Sequence, residues 1–450
     1  MRHIFAASAV LLGFASPLTA QADSLDRWVE GYLRQRHVPG LALAIVERGR
    51  VVRAKGYGLA DVELSVPVTP QTLFQSASVA KQFVSAGLLL LAEEGKLWLN
   101  DPVTKYLDKV PDAWRGITLR HLMNHTSGLQ DYEDGQAGID LRRDYTEPEI
   151  LQAFSRLPSL FSPGDDWSYS NTGYVLLGMV IRRVTGAHWG EYLRRRIFQP
   201  LGMETAQVIS EADIVPYRAS GYQVVGGAVK NQGWVAPSWN TTADGSLYFS
   251  VLDLAKWDAA LLAGTILSDS SRRLAMTPAR LNDGSLASYG FGWFLASEPQ
   301  PLMEHSGSWQ GFKAHITRYL RDSITVIILA NSANAETTTL AHRIAAIHNP
   351  RLAPPLRRAV AMTPGVLREY EGSYRVATGD TVRIRAVEGK LSVTGIGPRE
   401  VLVQPEGTDS LFLPDTESRL VFVRDGGTRR VTWVRLLRTP SAPVRARKID

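Results

Sequence analysis

Residues 72–94 read Thr72-Leu73-Phe74-Gln75-Ser76-Ala77-Ser78-Val79-Ala80-Lys81, then Gln82-Phe83-Val84-Ser85-Ala86-Gly87-Leu88-Leu89-Leu90-Leu91-Ala92-Glu93-Glu94. A short apolar-polar segment passes into a Leu- and Ala-rich run of about four helical turns, which Gly95 ends. Ser78 opens that helix, so its hydroxyl is expected near unpaired helical N–H groups and the positive end of the dipole. Lys81, one turn on, projects to the same side and within reach. A serine hydroxyl is a poor nucleophile until a neighbour takes its proton, and a desolvated lysine can be that neighbour. This is the single Ser-x-x-Lys in a chain holding 33 Ser and 10 Lys. By itself the spacing fits a Ser cap followed by a surface Lys equally well, so its weight rests on the rest of the chain.

Toward the N-terminus, Leu25, Trp28, Val29, Tyr32 and Leu33 fall on one helical face behind Ser24 as a candidate cap. Pro39-Gly40 stops that helix. Leu41 to Glu47 and Val51 to Gly56 are β-branched apolar runs around Arg48-Gly49-Arg50, the pattern of a hairpin. Farther back, Met1 to Ala22 has basic Arg2, an apolar stretch from Ile4 to Ala15 and the small-x-small Ala20-Gln21-Ala22, as in a secretory signal. The apolar stretch is shorter than the roughly 20 residues a spanning helix needs and it ends at Pro17. The expectation is export to the periplasm or the extracellular space without stable membrane insertion.

Toward the C-terminus, residues 100–280 mix helical segments such as Glu147 to Arg156 and Tyr174 to Val184 with Gly-, Pro-, Asp- and Ser-rich loops. From Tyr289 short β-type runs return: Gly290-Phe291-Gly292-Trp293, Ala314 to Tyr319 and Thr325 to Asn331. Ala335 to Ile347 reads as a helix, and Pro350, Pro354, Pro355 and Pro364 mark a linker. Residues 366–438 alternate in short strands with turns at Glu388-Gly389 and Asp425-Gly426-Gly427, the pattern of a small antiparallel β domain. The expected division is a signal at 1–22, a main domain at 23–349, a linker at 350–363 and a β-barrel-like domain at 364–450.

Composition narrows the function classes. Hydrophobic residues make up 44% and charged residues 21%, which excludes disordered, collagenous and coiled-coil chains. The absence of Cys removes thiol nucleophiles, Cys-ligated metals and disulfides. Lys and Arg number 50 against 44 Asp and Glu, but residues 351–450 hold 18 against 11, leaving 32 against 33 before them. That excess is scattered, apart from Arg429-Arg430 and Arg445, Arg447 and Lys448, so it reads as a solvated basic face and not a nucleic-acid site. His121 and His125 are spaced i, i+4 but lack a following Glu and a third ligand, so packing or hydrogen bonding beneath the site is expected of them, and no metal or other cofactor. His37, His188, His315, His342 and His348 read as structural. Trp293, Trp309 and Phe312 are either cleft lining or core. No Gly-x-Ser-x-Gly and no Gly-x-x-x-x-Gly-Lys occurs.

Two further segments decide the weight of Ser-x-x-Lys. Tyr169-Ser170-Asn171, inside the run from Phe161 to Tyr174, is the one Tyr-x-Asn of the chain, and His305-Ser306-Gly307 precedes a strand-like run. With Ser78-Val79-Ala80-Lys81 they resemble, in chain order, the three active-site elements of the serine β-lactamase and penicillin-binding protein superfamily. The likeness is nearest to class C β-lactamases, D,D-carboxypeptidases of that type, and related esterases and D-aminopeptidases. It extends through Val38-Pro39-Gly40-Leu41-Ala42, the run from Ile117 to Leu129, and Tyr289-Gly290-Phe291-Gly292-Trp293.

That resemblance implies an α/β (α+β) fold: an antiparallel sheet built from the terminal parts, helices on both sides, an α-rich insertion, and then the small C-terminal β domain. It implies Ser78 as the acylated nucleophile, Lys81 with Tyr169 as a proton-transfer pair, and Asn171 orienting the substrate amide. The N–H groups of Ser78 and Ser308 would form the oxyanion hole. The expected reaction is hydrolysis of an ester, amide or lactam in a small molecule or peptide; the rival reading is a penicillin-binding sensor that is acylated and does not turn over. His305 stands where many β-lactamases have Lys. A partly charged imidazole there implies that preference for carboxylate-bearing substrates strengthens below about pH 6.5. The loops at 130–145 and 218–240 are expected to shape the pocket.

Overall fold

The computed structural model describes residues 17–134, 137–210, 212–297, 300–354, 357–395, 400–414, 416, 418–437 and 443–450. Strands Gly40–Glu47 and Arg50–Asp61 are joined by Arg48 and Gly49. Both have positive φ, 48° and 75°, as the primed two-residue hairpin turns require. The hairpin lies in a seven-stranded antiparallel sheet. Across the sheet run Phe294–Ala296, Leu302–Trp309, Phe312–Tyr319, Ile324–Ala330, Gly40–Glu47, Arg50–Asp61 and Val66–Pro67. Chain ends far apart in sequence therefore meet, with Leu41 opposite Ala330 and Glu47 opposite Ile324.

Both faces of the central strands are covered, which is why they read as continuous apolar runs. Leu41, Leu43 and Ile45 pack with Leu25, Val29 and Leu33 of helix Pro17–Arg36 and with Leu340 and Ile344 of helix Thr337–His348. Ala42, Ala44 and Val46 belong to the larger core on the other face, with Val84 and Leu88 of helix Lys81–Glu93 and Leu254 and Trp257 of helix Val251–Ala263. On that face buried Asp258 accepts from Arg318 Nε at 2.5 Å and from Thr325 Oγ1 at 2.7 Å, tying helix to sheet. Asp258→Ala is expected to destabilise the fold by about 3 kcal/mol or more in chemical denaturation, because it strands the buried guanidinium.

The second body is a closed eight-stranded antiparallel barrel from Gly372 to Lys448, filled by residues such as Tyr374, Ile384, Val393, Leu420 and Val434. Its last strand, Pro443–Lys448, pairs with both Gly372–Val376 and Val431–Leu437 and closes it. No described helix is long and apolar enough to cross a membrane.

Several expectations shift. The first helix begins at Pro17, with Ser24 inside it and not at its cap, since Leu, Ala and Gln before it sustain helix well. The signal-like stretch lies outside the described residues up to position 16. Gly290-Phe291-Gly292-Trp293 is a turn and not a strand: Gly292 has φ 76°, and a Cβ there would meet the Gln82 backbone at 2.6 Å. The barrel extends past 438, so Arg445, Arg447 and Lys448 form its closing strand. Arg445 and Arg447 stack on Trp433 at 4.7 and 6.0 Å and do not form a free basic tail. Pro355 of the expected linker is outside the described residues; Pro350 opens a 3-10 turn and Pro364 a short helix.

Candidate active site

Ser78 lies in a 3-10 turn, Ala77–Ala80, that feeds an α-helix starting at Lys81, one turn later than the α-helix predicted from Ser78. Ala77 carries φ 47°, an unusual conformation for a residue with a side chain. The turn is held by Ser76, whose N–H and hydroxyl both donate to Leu247 O at 2.8 and 2.9 Å. Strand Leu302–Trp309 presses on it at Gly307, where a Cβ would stand 2.1 Å from Ser76 O and 3.1 Å from Ser78 N. Ser308 lines the same pocket as Ser78, Trp239 and Trp309, and Ser306, two residues before it on the same strand face, is exposed as well.

Lys81 is wholly buried. Its Nζ donates to Ser78 Oγ at 2.9 Å, Asn171 Oδ1 at 2.7 Å and the Asp244 carbonyl at 2.6 Å. Burial pushes the ammonium down to about 8 against the pull of the Asp244, Glu133 and Asp131 carboxylates. A fraction of the amine is therefore neutral near physiological pH and able to accept a proton. Tyr169 stands beside Ser78, whose side chain acts on its phenol, and its ring lies 5.1 Å from Lys81 Nζ. Burial holds its phenol protonated, well above the usual range. Serine, amine and phenol thus meet at one point, although they come from the helix entrance and from the loop before helix Asn171–Thr185.

Two of the expected ligands are committed within the protein. Asn171 accepts from Lys81, and its amide nitrogen donates to Asp131 Oδ2 at 3.1 Å and Glu133 Oε1 at 2.9 Å. It therefore orients Lys81. His305 is 1% exposed; its Nδ1 donates to Ser306 O at 2.7 Å, and its Nε2 accepts from the Tyr289 hydroxyl at 2.9 Å. Burial, with the Lys81 charge adding to it, lowers the imidazole to about 3. The partly cationic His305 expected from sequence is therefore a neutral ring.

Beneath the site His125 accepts from Ser170 N at 3.1 Å and packs on Tyr169 and Tyr289 with centroids 4.2 and 4.6 Å away. His121 accepts at Nδ1 from Thr118 N in a capping box, a hydrogen-bonding role. His315 and His342 are not isolated: both rings lie on buried Glu304, His342 Nε2 at 2.7 Å and His315 Nε2 at 3.2 Å. Trp293 and Phe312 are core residues, 2% exposed, whereas Trp309 donates to Asn240 at the pocket.

Sequence reasoning missed the acids Asp131, Glu133 and Asp244. Burial pushes Glu133 up to about 8, reinforced by Asp244 and Asp131. The signal was available in Gln130-Asp131-Tyr132-Glu133, two carboxylates flanking an aromatic immediately after the matched run ending at Leu129. Residues 135 and 136 of that loop are outside the described residues.

The Beta-lactamase family model matches residues 25–349. The putative penicillin-binding protein PbpX of Bacillus subtilis is 31% identical over 314 residues, 69% of this chain and 75% of that protein. The octameric penicillin-binding protein homologue of Pyrococcus abyssi superposes with TM-score 0.66 at 25% identity, covering 95% of this chain and all of that one. D-amino acid amidase of Ochrobactrum anthropi SV3, solved with L-phenylalanine amide, gives TM-score 0.61 at 29% identity over 73% of this chain and 99% of its own.

Proposed function

This chain belongs to the beta-lactamase family and is a serine hydrolase, and we propose that it is exported and cleaves an ester, amide or lactam through an acyl-serine at Ser78. The single observation that carries the reading is the wholly buried Lys81 amine, 2.9 Å from Ser78 Oγ. Neutral Lys81 takes the hydroxyl proton as Oγ attacks the substrate carbonyl. The N–H groups of Ser78 and Ser308 receive the developing oxyanion. Tyr169, protonated and beside Ser78, hands a proton to the leaving group and recovers it through Lys81. Water then releases the acyl group by the reverse sequence. Because the amine and phenol share one proton path, they titrate as a unit.

Time-resolved intact mass with a penicillin and with a nitrophenyl ester tests the reading: the chain is expected to gain the acyl mass and return to its free mass. Permanent acylation by both would make it a penicillin-binding sensor. Export is supported by the Met1–Ala22 pattern, and a cut after Ala22 leaves Leu25, Val29 and Leu33 to seat the first helix. N-terminal sequencing of secreted protein is expected to begin at Asp23. In this reading 23–349 is the hydrolase domain, 350–363 the linker and 364–450 the barrel.

The charges also bear on the substrate. With His305 neutral and three carboxylates around Lys81, the pocket offers little to a substrate carboxylate, so the preferred acyl groups are uncharged or cationic. D-amino acid amides are the first to try, given the amidase neighbour. The sign follows from the groups named: His305 stays unprotonated down to about pH 3, so acidification through 6.5 adds no cation. Glu133 loses its proton only around pH 8, which repels anions further at alkaline pH. The ratio of anionic to neutral ester turnover is expected to be flat from about pH 5 to 7 and to fall toward pH 9. A ratio that climbs as pH drops through 6.5 would place the charge back on His305.

A further inference from the structure

The geometry points to Arg445, on the closing strand of the barrel, as a positioning residue for the Tyr169 phenol, which couples the C-terminal barrel to the active site through the loop before Tyr169. Arg445 is largely buried, with its side chain 13% exposed, and its guanidinium lies over Trp433 at 4.7 Å. From there it leaves the barrel: Nη1 donates to Ser285 Oγ at 3.0 Å, and the ion reaches Asp166 at 3.9 Å and Asp283 at 3.6 Å. Asp283 and Ser285 belong to the turn between the short strands Ala279–Arg280 and Leu286–Ala287. That turn grips the loop carrying Asp166, since Asn282 N donates to Gly164 O at 2.8 Å and Asn282 Nδ2 donates to Asp165 Oδ1 at 2.8 Å. One cation therefore locks barrel, turn and loop together, three residues before Tyr169.

The loop needs an outside hold. Trp167 is drawn in against His125, Tyr289 and Phe294, yet its indole Nε1 is buried with no hydrogen-bond partner. A buried unpaired donor is unfavourable, so this conformation is not secured by its own contacts alone. Beyond Trp167 the backbone is held to His125, by Ser168 N to His125 O at 3.0 Å and Ser170 N to His125 Nδ1 at 3.1 Å. Between those two bonds stands Tyr169. Since an error of about 1 Å in a proton-transfer group can cost 100-fold in rate, a stretched or released Asp166 end is felt at the phenol. The alternative is that Arg445 only docks the barrel.

The inference rests on the role given to Tyr169 above, and a double-mutant cycle separates the two. Single-turnover acylation by a nitrophenyl ester is measured for Arg445→Ala, Tyr169→Phe and the double variant, each normalised to titratable Ser78. Arg445→Ala is expected to slow acylation about tenfold in the parent and under twofold in the Tyr169→Phe background, because the phenol through which it acts is gone. Equal factors in both backgrounds, or a fall confined to melting temperature and titratable sites, would reduce Arg445 to a docking residue and overturn the proposal. Asp166→Asn, which leaves the barrel intact, is expected to show the same pattern should Arg445→Ala fold poorly. Arg445→Lys, keeping the charge and losing the fork, is expected to recover part of the rate. If Tyr169→Phe alone leaves acylation unchanged, the phenol has no role to position and both the proton-transfer reading and this inference fall.

Discussion

Ser78→Ala is expected to abolish acyl-enzyme formation and to lower turnover of any accepted ester at least about ten-thousandfold, with the melting temperature almost unmoved. The second half of this prediction carries more information. Lys81→Ala is expected to cost nearly as much, and the double variant no more than Ser78→Ala alone, because the amine enters the reaction through that hydroxyl. The structure gives the reason. Lys81 is wholly buried, and its three hydrogen bonds go to Ser78 Oγ, Asn171 Oδ1 and the Asp244 carbonyl. Removing it leaves Ser78 without a base, and leaves Asn171 between two acids without its cation. Steady-state kinetics on a nitrophenyl ester with active-site titration measures each step. Multiplicative losses in the double variant would mean that Ser78 and Lys81 contribute separately, which this geometry does not allow.

How far the sequence reaches can be seen residue by residue. The hairpin at Arg48-Gly49, the helix behind Lys81 and the sheet strands near 314–331 are local patterns, legible because periodicity and turn chemistry are local. The meeting of Ser78, Lys81 and Tyr169 is not local: 88 residues separate Lys81 from Tyr169, and only likeness to a family brings them together on paper. What stayed hidden is what burial decides. His305 reads in sequence as a group on the edge of charge, but depth, with the Lys81 charge adding to it, makes it a neutral ring. Asn171 reads as a substrate ligand, but Lys81, Asp131 and Glu133 use both ends of its amide. Glu304 gathers His315 and His342 from a neighbouring strand and a helix, a juxtaposition no spacing announces. The barrel shows the same limit: its strands alternate visibly, whereas closure by 443–448 and the reach of Arg445 to Asp166 depend on pairing across the whole domain.

Gly307→Ala is expected to cost about a thousandfold in acylation while leaving most of the protein folded. Its cause is contact between two backbones and not any loss of chemistry. A single methyl at position 307 would stand 2.1 Å from Ser76 O, far inside any real approach, and the atom it meets is main chain that cannot rotate away. The turn has little room to yield. Ser76 O already accepts from Val79 N at 3.2 Å, and the Ser76 N–H and hydroxyl are both bound to Leu247 O. The strand is also held, with Gly307 opposite Ala314 on one side and its start, Leu302 to Glu304, paired on the other side as well. Strand and turn must therefore part by roughly an ångström, and the Ser78 and Ser308 N–H groups separate with them. Losing one oxyanion donor typically costs 100- to 1000-fold, and misplacing the nucleophile adds to it. The two costs fall on the same acylation step, so burst kinetics with a nitrophenyl ester is the measurement, with far-ultraviolet circular dichroism to verify the fold. Ala77 sits at φ 47°, unusual for a residue with a side chain, and once strand and turn have parted a return to an ordinary conformation recovers part of the cost. The variant is therefore expected to lose less stability than a clash of that size suggests, the rate bearing most of the cost. A Gly307→Ala protein that acylates at the parental rate would mean that the strand does not press on the Ser78 turn, and the oxyanion site assigned to their junction would have to be sought elsewhere.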